Sequence, residues 1–260
     1  METKLNYKRT FLIGLAFLSI CSFWQMYDNI IPLILQNTYH LGETMTGAVM
    51  ALDNVLAIFL LPVFGTLSDK VHTKLGRRMP FIVSGTILAV IFMMLLPMID
   101  NAEKARWGTV ESFSNQVIFL AVLFFTLVSM GLYRSPAVAL MPDVTPNHLR
   151  SRANAVINLM GAVGGVYALI MIKVLVGKGE TPDYLPLFAS IAAVMAIAVG
   201  ILVMTIRENK LREEVEKAEA AIAETIEEKA MAEGVEAVGE IEAVGDTGAC
   251  LLYTSDAADD

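Results

Sequence analysis

Of 260 residues, 55% are hydrophobic and 18% are charged, with a mean hydropathy of +0.59, above the range of ordinary globular domains. The formal charge of −8 is unevenly placed: residues 1–206 carry 14 Lys/Arg against 11 Asp/Glu, and residues 207–249 carry 5 against 13. No basic surface suited to nucleic acid is present, two cysteines (Cys21 and Cys250) cannot build a disulfide framework, and three scattered histidines (His40, His72 and His148) form no metal or nucleophile constellation, so neither an enzyme nor a metal or cofactor site is expected.

A hydrocarbon core about 30 Å thick is crossed by roughly 20 apolar helical residues, and six stretches qualify: about 10–35, 44–66, 80–99, 116–141, 153–176 and 185–206. The first is too long for a cleaved leader and carries Asp28, so it reads as a retained span. It contains the polar run Phe23-Trp24-Gln25-Met26-Tyr27-Asp28-Asn29. Trp24 and Asp28 share a helix face at i,i+4, and Gln25 and Asn29 share a neighbouring one. A carboxylate, amides and aromatic planes suit a sugar: they supply acceptors and donors for hydroxyls and flat surfaces for ring C–H groups. The alternative is an interfacial aromatic belt with a snorkelled acid.

The second span carries Asp53 and Asn54 near its middle. Ionisable residues inside a span are costly and are functional candidates by default. Asp28 and Asp53 are therefore the proton-coupling candidates, with a structural interhelical hydrogen bond as the alternative for Asp53. Between spans two and three stand Gly65-Thr66-Leu67-Ser68-Asp69-Lys70 and Gly76-Arg77-Arg78-Met79-Pro80-Phe81. Span four carries Arg134, whose forked guanidinium can bind hydroxyls or a carboxylate in bidentate fashion. The junction to span five reads Tyr133-Arg134-Ser135-Pro136, Ala139-Leu140-Met141-Pro142-Asp143, Arg150, Ala153-Asn154-Ala155. In span five, Gly161, Gly164 and Gly165 have the spacing of close helix contacts, and Asn154 and Asn158 face either a cavity or a neighbouring helix. Lys173 is expected to snorkel.

Basic residues concentrate at the N-terminus (Lys4, Lys8, Arg9), in the second loop (Lys70, Lys74, Arg77, Arg78), in the fourth (Arg150, Arg152) and after span six (Arg207, Lys210, Arg212). The first loop has none, the third has Lys104 and Arg106 beside acids, and the fifth has Lys178. By the positive-inside rule both ends face the cytoplasm. The expectation is an all-α polytopic protein of the cell (inner or plasma) membrane, embedded in the lipid bilayer. Residues 207–249 read as an acidic cytoplasmic helix with favourable pairs such as Glu208–Arg212 and Glu213–Lys217. They form a solvated linker or, alternatively, a docking helix.

The second-loop pattern and the span-four junction resemble the major facilitator superfamily (MFS). Within it they are similar to the sucrose–proton symporters and, more distantly, the glycoside–pentoside–hexuronide cation symporters. The resemblance covers about residues 10–206 and implies two six-helix halves with solute held between them. It implies a secondary active transporter, taking up a small sugar or glycoside with a proton or sodium ion by alternating access. Efflux of drug-like compounds is the alternative, and a non-transporting membrane sensor or scaffold is an alternative of another class. Trp24, Gln25, Tyr27, Asp28, Asn29, Arg134 and Asn158 are then the solute-binding candidates. A cytoplasmic gate is implied at Gly65, Asp69, Gly76, Arg77 and Arg78, joined by Asp143 and by Arg150 or Arg152. Plant sucrose symporters place an arginine where this chain has Val138; Arg134 stands one helical turn earlier.

Residues 1–206 thus correspond to one six-helix half, the N-terminal one, and the C-terminal six-helix half is expected as its partner. The last eleven residues, 250–260, resemble the translation of a sequencing adapter. The chain is accordingly expected to be a fragment ending in a non-native tail, with a natural six-span protein that dimerises as the alternative.

Overall fold

A computed structural model describes residues 5–71, 73, 75–105, 113–177 and 182–232. The tail at 250–260, the linker beyond 232, and Lys4, His72, Lys74, Arg106 and Lys178 lie outside the described residues. Eight α-helices are formed among them: α1 (Tyr7–Asn37), α2 (Glu43–Met50), α3 (Leu52–Lys70), α4 (Met79–Lys104), α5 (Phe113–Asp143), α6 (Arg150–Leu175), α7 (Leu185–Thr205) and α8 (Glu208–Ala232). A 3-10 turn, Asn147–Leu149, leads into α6. Six helical stretches are long and apolar enough to cross a membrane. They coincide with the six expected spans, and the protein is a multi-pass membrane protein. The second span is built from two pieces: α2 and α3 meet at a turn at Ala51, two residues before Asp53.

The helix ends follow local chemistry. Asn6 caps α1 by accepting from the Arg9 N–H at 3.3 Å, as a side-chain cap should. Pro80 and Pro186 sit in the first turns of α4 and α7, where a missing N–H leaves no bond unmade. At 31 residues α1 is roughly 46 Å long, so it extends beyond the apolar layer at its ends.

Helix α1 packs on α6 and α7, α4 packs on α5 and α7, and α3 packs on α5. Lipid tails are as apolar as leucine, so association relies on close backbone approach and interhelical hydrogen bonds. Both are present. A Cβ on Gly164 would meet the Leu18 carbonyl oxygen at 2.1 Å, and one on Gly85 would meet the Tyr133 backbone at 2.7 Å. Ser22 Oγ donates to Gly164 O at 2.9 Å, Tyr133 Oη donates to Ala16 O at 3.1 Å, and Ser135 Oγ donates to Leu61 O at 2.8 Å. These bonds tie α1 to α6, α1 to α5, and α5 to α3. Val55, Ile58, Phe59 and Val63 of α3 are exposed, an outward apolar face that a hydrocarbon environment accommodates.

At the end of the body remote from Arg77, buried Asp100 accepts from Thr38 Oγ1 at 2.7 Å and from Lys104 Nζ at 2.6 Å. Lys104 also donates to Pro182 O at 2.6 Å and lies 4.4 Å from the Tyr184 ring centroid. One carboxylate and one ammonium therefore join the ends of α1, α4 and α7. The first compact unit runs to Glu219 and includes the start of α8; the described part of the second is the rest of α8, to Ala232.

Candidate functional site

The polar run of α1 divides between two environments. Phe23, Met26 and Tyr27 are buried, Trp24 and Gln25 are half-buried, and Asp28 and Asn29 are exposed. Trp24 is held edge-on by both Phe23 and Tyr27, with centroids 5.3 and 5.4 Å apart, while Phe23 and Tyr27 stack at 6.1 Å. Asn29 Nδ2 donates to Gln25 O at 2.7 Å, turning that amide back onto its own helix.

Trp24 forms one wall of a cleft completed by Asp53, Leu56, Ala57, Leu60 and Leu61 from α3 and by Leu127, Gly131 and Arg134 from α5. The Arg134 guanidinium carbon lies 5.5 Å from the Trp24 ring centroid, within cation–π range. Its charge also acts on Asp53, the Asp53 charge acts on Asp28, and both carboxylates act on Tyr27. Gly131 admits α3 closely: a Cβ there would lie 3.3 Å from Leu60 Cδ1. Trp24 Nε1, Tyr27 Oη and Asp53 Oδ1 are buried without a hydrogen-bond partner among the described residues. A buried polar atom left unpaired costs about 1–3 kcal/mol; of these three, Trp24 Nε1 and Asp53 Oδ1 belong to residues that line the cleft, and Tyr27 does not line it. Asn158 is exposed and does not line this cleft, and neither do Gln25, Asp28 or Asn29.

The second cluster stands where α3, α4 and α5 end together. Asp143 Oδ2 accepts from Arg77 Nη2 at 2.8 Å and from Arg78 Nε at 2.6 Å. Asp69 Oδ1 is 2.9 Å from Arg78 Nη2 and 3.6 Å from Arg77 Nε. Arg78 is 6% exposed and also donates to Ser68 Oγ at 3.0 Å. Burial works against the Arg77 charge, but the hydrogen bond and charge of Asp143, with Asp69 and Glu208, more than offset it and raise the Arg77 pKa. Gly65 lets α5 approach: a Cβ there would lie 3.3 Å from Ser135 Oγ. Arg150 does not join the carboxylates; it donates to Thr145 O at 3.3 Å and to Pro142 O at 3.0 Å, bracing the turn before α6. Arg152 is exposed and enters no ion pair among the described residues.

Sequence reasoning missed Glu208. It was assigned to an i,i+4 pair with Arg212; instead it is fully buried, and Arg212 pairs with Glu216 at 3.1 Å. Glu208 Oε1 accepts from the Arg77 and Arg78 N–H groups at 2.9 and 3.0 Å, and Oε2 accepts from Arg78 and Met79 N–H at 3.0 and 3.1 Å. No side chain from its own N-cap residue caps α4, so a carboxylate from a different helix satisfies its first amides and meets the positive end of its dipole. Gly76 has φ +130°, and a Cβ there would lie 2.1 Å from Glu208 Oε2. Only glycine meets both demands. An acid just after span six was the one available signal, and it did not reveal the partner.

Comparison with known proteins places the chain in a family. The family model described as Major Facilitator Superfamily matches residues 12–238. Sucrose transport protein SUT3 of Oryza sativa subsp. japonica is 26% identical over 137 residues, 50% of this chain and 27% of that protein. Sucrose transport protein SUC4 of Arabidopsis thaliana is 34% identical over 116 residues, 42% of this chain and 22% of that protein. An uncharacterised symporter of Synechocystis is 24% identical over 144 residues, 54% and 25% of the two chains. The match spans about a quarter of the length of each of these relatives.

Proposed function

Because the chain belongs to the Major Facilitator Superfamily, we propose that it is the N-terminal half of a secondary active transporter that moves a small sugar or glycoside with a proton or another cation. The observation that carries the reading is the cleft between α1, α3 and α5. One buried donor on its wall, Trp24 Nε1, and one buried carboxylate oxygen, Asp53 Oδ1, lack partners among the described residues, and the Arg134 charge acts on both Asp53 and the Trp24 face. A saccharide supplies both missing complements: hydroxyls for Trp24 Nε1 and Arg134, and apolar C–H faces for the indole plane. Asp53 carries the coupling proton, and Asp28 on the exposed face of α1 contributes to the same path. The names of the relatives, sucrose transporters and a symporter, support this class of solute.

The Asp69–Arg77–Arg78–Asp143 cluster acts as the inner gate. Partly buried ion pairs add little net stability, but they distinguish two arrangements of packed helices, as alternating access requires. The gate end and both termini face the cytoplasm, and a second six-helix half closes the cleft. The solvent-exposed Asp28, Asn29 and Asn158 then complete the site from this half.

Vesicles containing the longer transporter, given labelled glucosides and an imposed pH gradient, test the reading. Gradient-driven accumulation that fails in Asp53→Asn supports it, and accumulation indifferent to the gradient overturns the coupling. A second reading, export of amphipathic compounds, is favoured by the four leucines and Ala57 that line the cleft; extrusion in the same assay would select it.

A further inference from the structure

We propose that residues 208–219 of α8 form a strap across the gate end of the six-helix body, with Glu208 as the positioning residue for the gate arginines. This rests on the gate reading above.

The strap reaches the starts of α1 and α4 and the turn ahead of α6. Glu208 holds the Arg77, Arg78 and Met79 amides at the start of α4. Asn209 Nδ2 donates to Thr73 O at 3.1 Å, in the turn that Gly76 closes. Glu214 pairs with Arg9 at the start of α1 at 3.2 Å, and Glu219 Oε1 accepts from the Asn147 N–H ahead of α6 at 3.2 Å. Leu211 and Val215, one turn apart, are buried beneath these contacts. A solvated linker would bury neither a glutamate nor two aliphatic side chains.

The contacts differ in strength. Those of Glu214 and Glu219 are exposed and act as guides, because exposed ion pairs contribute little. The Glu208 contact is dry. A carboxylate there carries several charge-assisted bonds at once, and it fixes the backbone from which both gate arginines project. With the Arg77 and Arg78 amides held, their side chains reach Asp69 and Asp143 together. Once Glu208 leaves, the α4 amides lose their cap, the Gly76 turn loses its packing, and Arg78 is free to leave Ser68. The gate is thus coupled to α8, an element outside the six spans.

The test uses the full chain in lipid nanodiscs and two readouts that do not depend on transport. Amide hydrogen exchange at residues 77–79 should rise about tenfold in Glu208→Ala, with a smaller rise in Glu208→Gln and no change in the middle of α4 or α6. A Ser68→Cys reporter, covered by Arg78 in the parent, should be alkylated several-fold faster when Glu208→Ala is added. Unchanged exchange at 77–79 would show that Glu208 does not cap α4. Faster exchange with unchanged alkylation would show a cap that does not position Arg78. A rise spread evenly over α4 and α5 would show a general structural lesion. Each of these three results overturns the proposal, and none depends on whether the solute is a sugar.

Discussion

Replacing Gly164 with alanine should separate α1 from α6 in a way its neighbour Gly165 does not. A Cβ at 164 would meet Leu18 O at 2.1 Å and Leu18 C at 2.8 Å, backbone atoms that cannot rotate away, whereas ordinary contact begins at 3.4 Å. The helices must part by about 1.3 Å, which a packed interface resists. The buried bond from Ser22 Oγ to Gly164 O, 2.9 Å in the parent, then stretches beyond hydrogen-bonding range. Overpacking of this kind costs about 1–3 kcal/mol, and the lost interhelical bond about 0.6–1.7 kcal/mol. Alanine returns about 1 kcal/mol of helix propensity, leaving a net loss of about 0.6–3.7 kcal/mol.

At Gly165 the nearest atom is Gln25 Oε1 at 3.6 Å, so Gly165→Ala keeps the propensity gain without a clash. Gly161 is intermediate, with Cys21 Sγ at 2.9 Å, a side chain whose removal in Cys21→Ala should restore tolerance. The propensity gain is common to both variants, so thermal unfolding of the detergent-solubilised chain, followed by circular dichroism, should place Gly164→Ala roughly 3–19 °C below Gly165→Ala, at about 2–4 °C per kcal/mol. Equal midpoints, or the reverse order, would refute the α1–α6 contact geometry.

Lys104→Met leaves Asp100 buried without its counter-ion and should cost about 3–5 kcal/mol. Adding Asp100→Asn should recover most of that loss in the same melting experiment. Arg150→Ala frees two carbonyls at the turn before α6 and should cost about 1 kcal/mol, while Arg152→Ala should change stability by less than about 0.5 kcal/mol. Trp24→Phe preserves the aromatic plane but removes the Nε1 donor, so glycoside binding by titration calorimetry should weaken by about three- to tenfold; Trp24→Ala should weaken it further. Arg78→Lys cannot reach Asp69, Asp143 and Ser68 together, and alkylation of a Ser68→Cys reporter should accelerate as it does in Glu208→Ala.

The candidate site was legible in its parts and not in its assembly. Asp53 and Arg134 stood out because charge inside a span is costly, and Trp24 because it shares a turn with Asp28. That Trp24, Asp53 and Arg134 line one cleft, while Gln25, Asp28, Asn29 and Asn158 do not, depends on how α1, α3 and α5 rotate against one another. Rotation is set by Gly131, Gly164 and Ser22 packing on particular neighbours. At the gate, spacing brought forward Arg77, Arg78, Asp69 and Asp143, but it gave Arg150 the same standing. Only the turn geometry sends that guanidinium to the Thr145 and Pro142 carbonyls.

Composition alone determined that six segments cross a bilayer, because each must satisfy its backbone internally and present apolar side chains outward, and both demands are met residue by residue along a helix. Charge placement likewise carried the expected orientation, since it depends on loop content and not on contacts. Tertiary structure decided which polar atoms meet. Arg77 finds Asp143 across 66 positions and Glu208 across 131, separations with no periodicity to betray them. The acidic segment after span six has the composition of a solvated linker, yet its first acid, Glu208, is more deeply buried than either Asp69 or Asp143 of the proposed gate. Burial of one charge against three amides is a property of two helices brought together, and neither helix carries the sign of it alone.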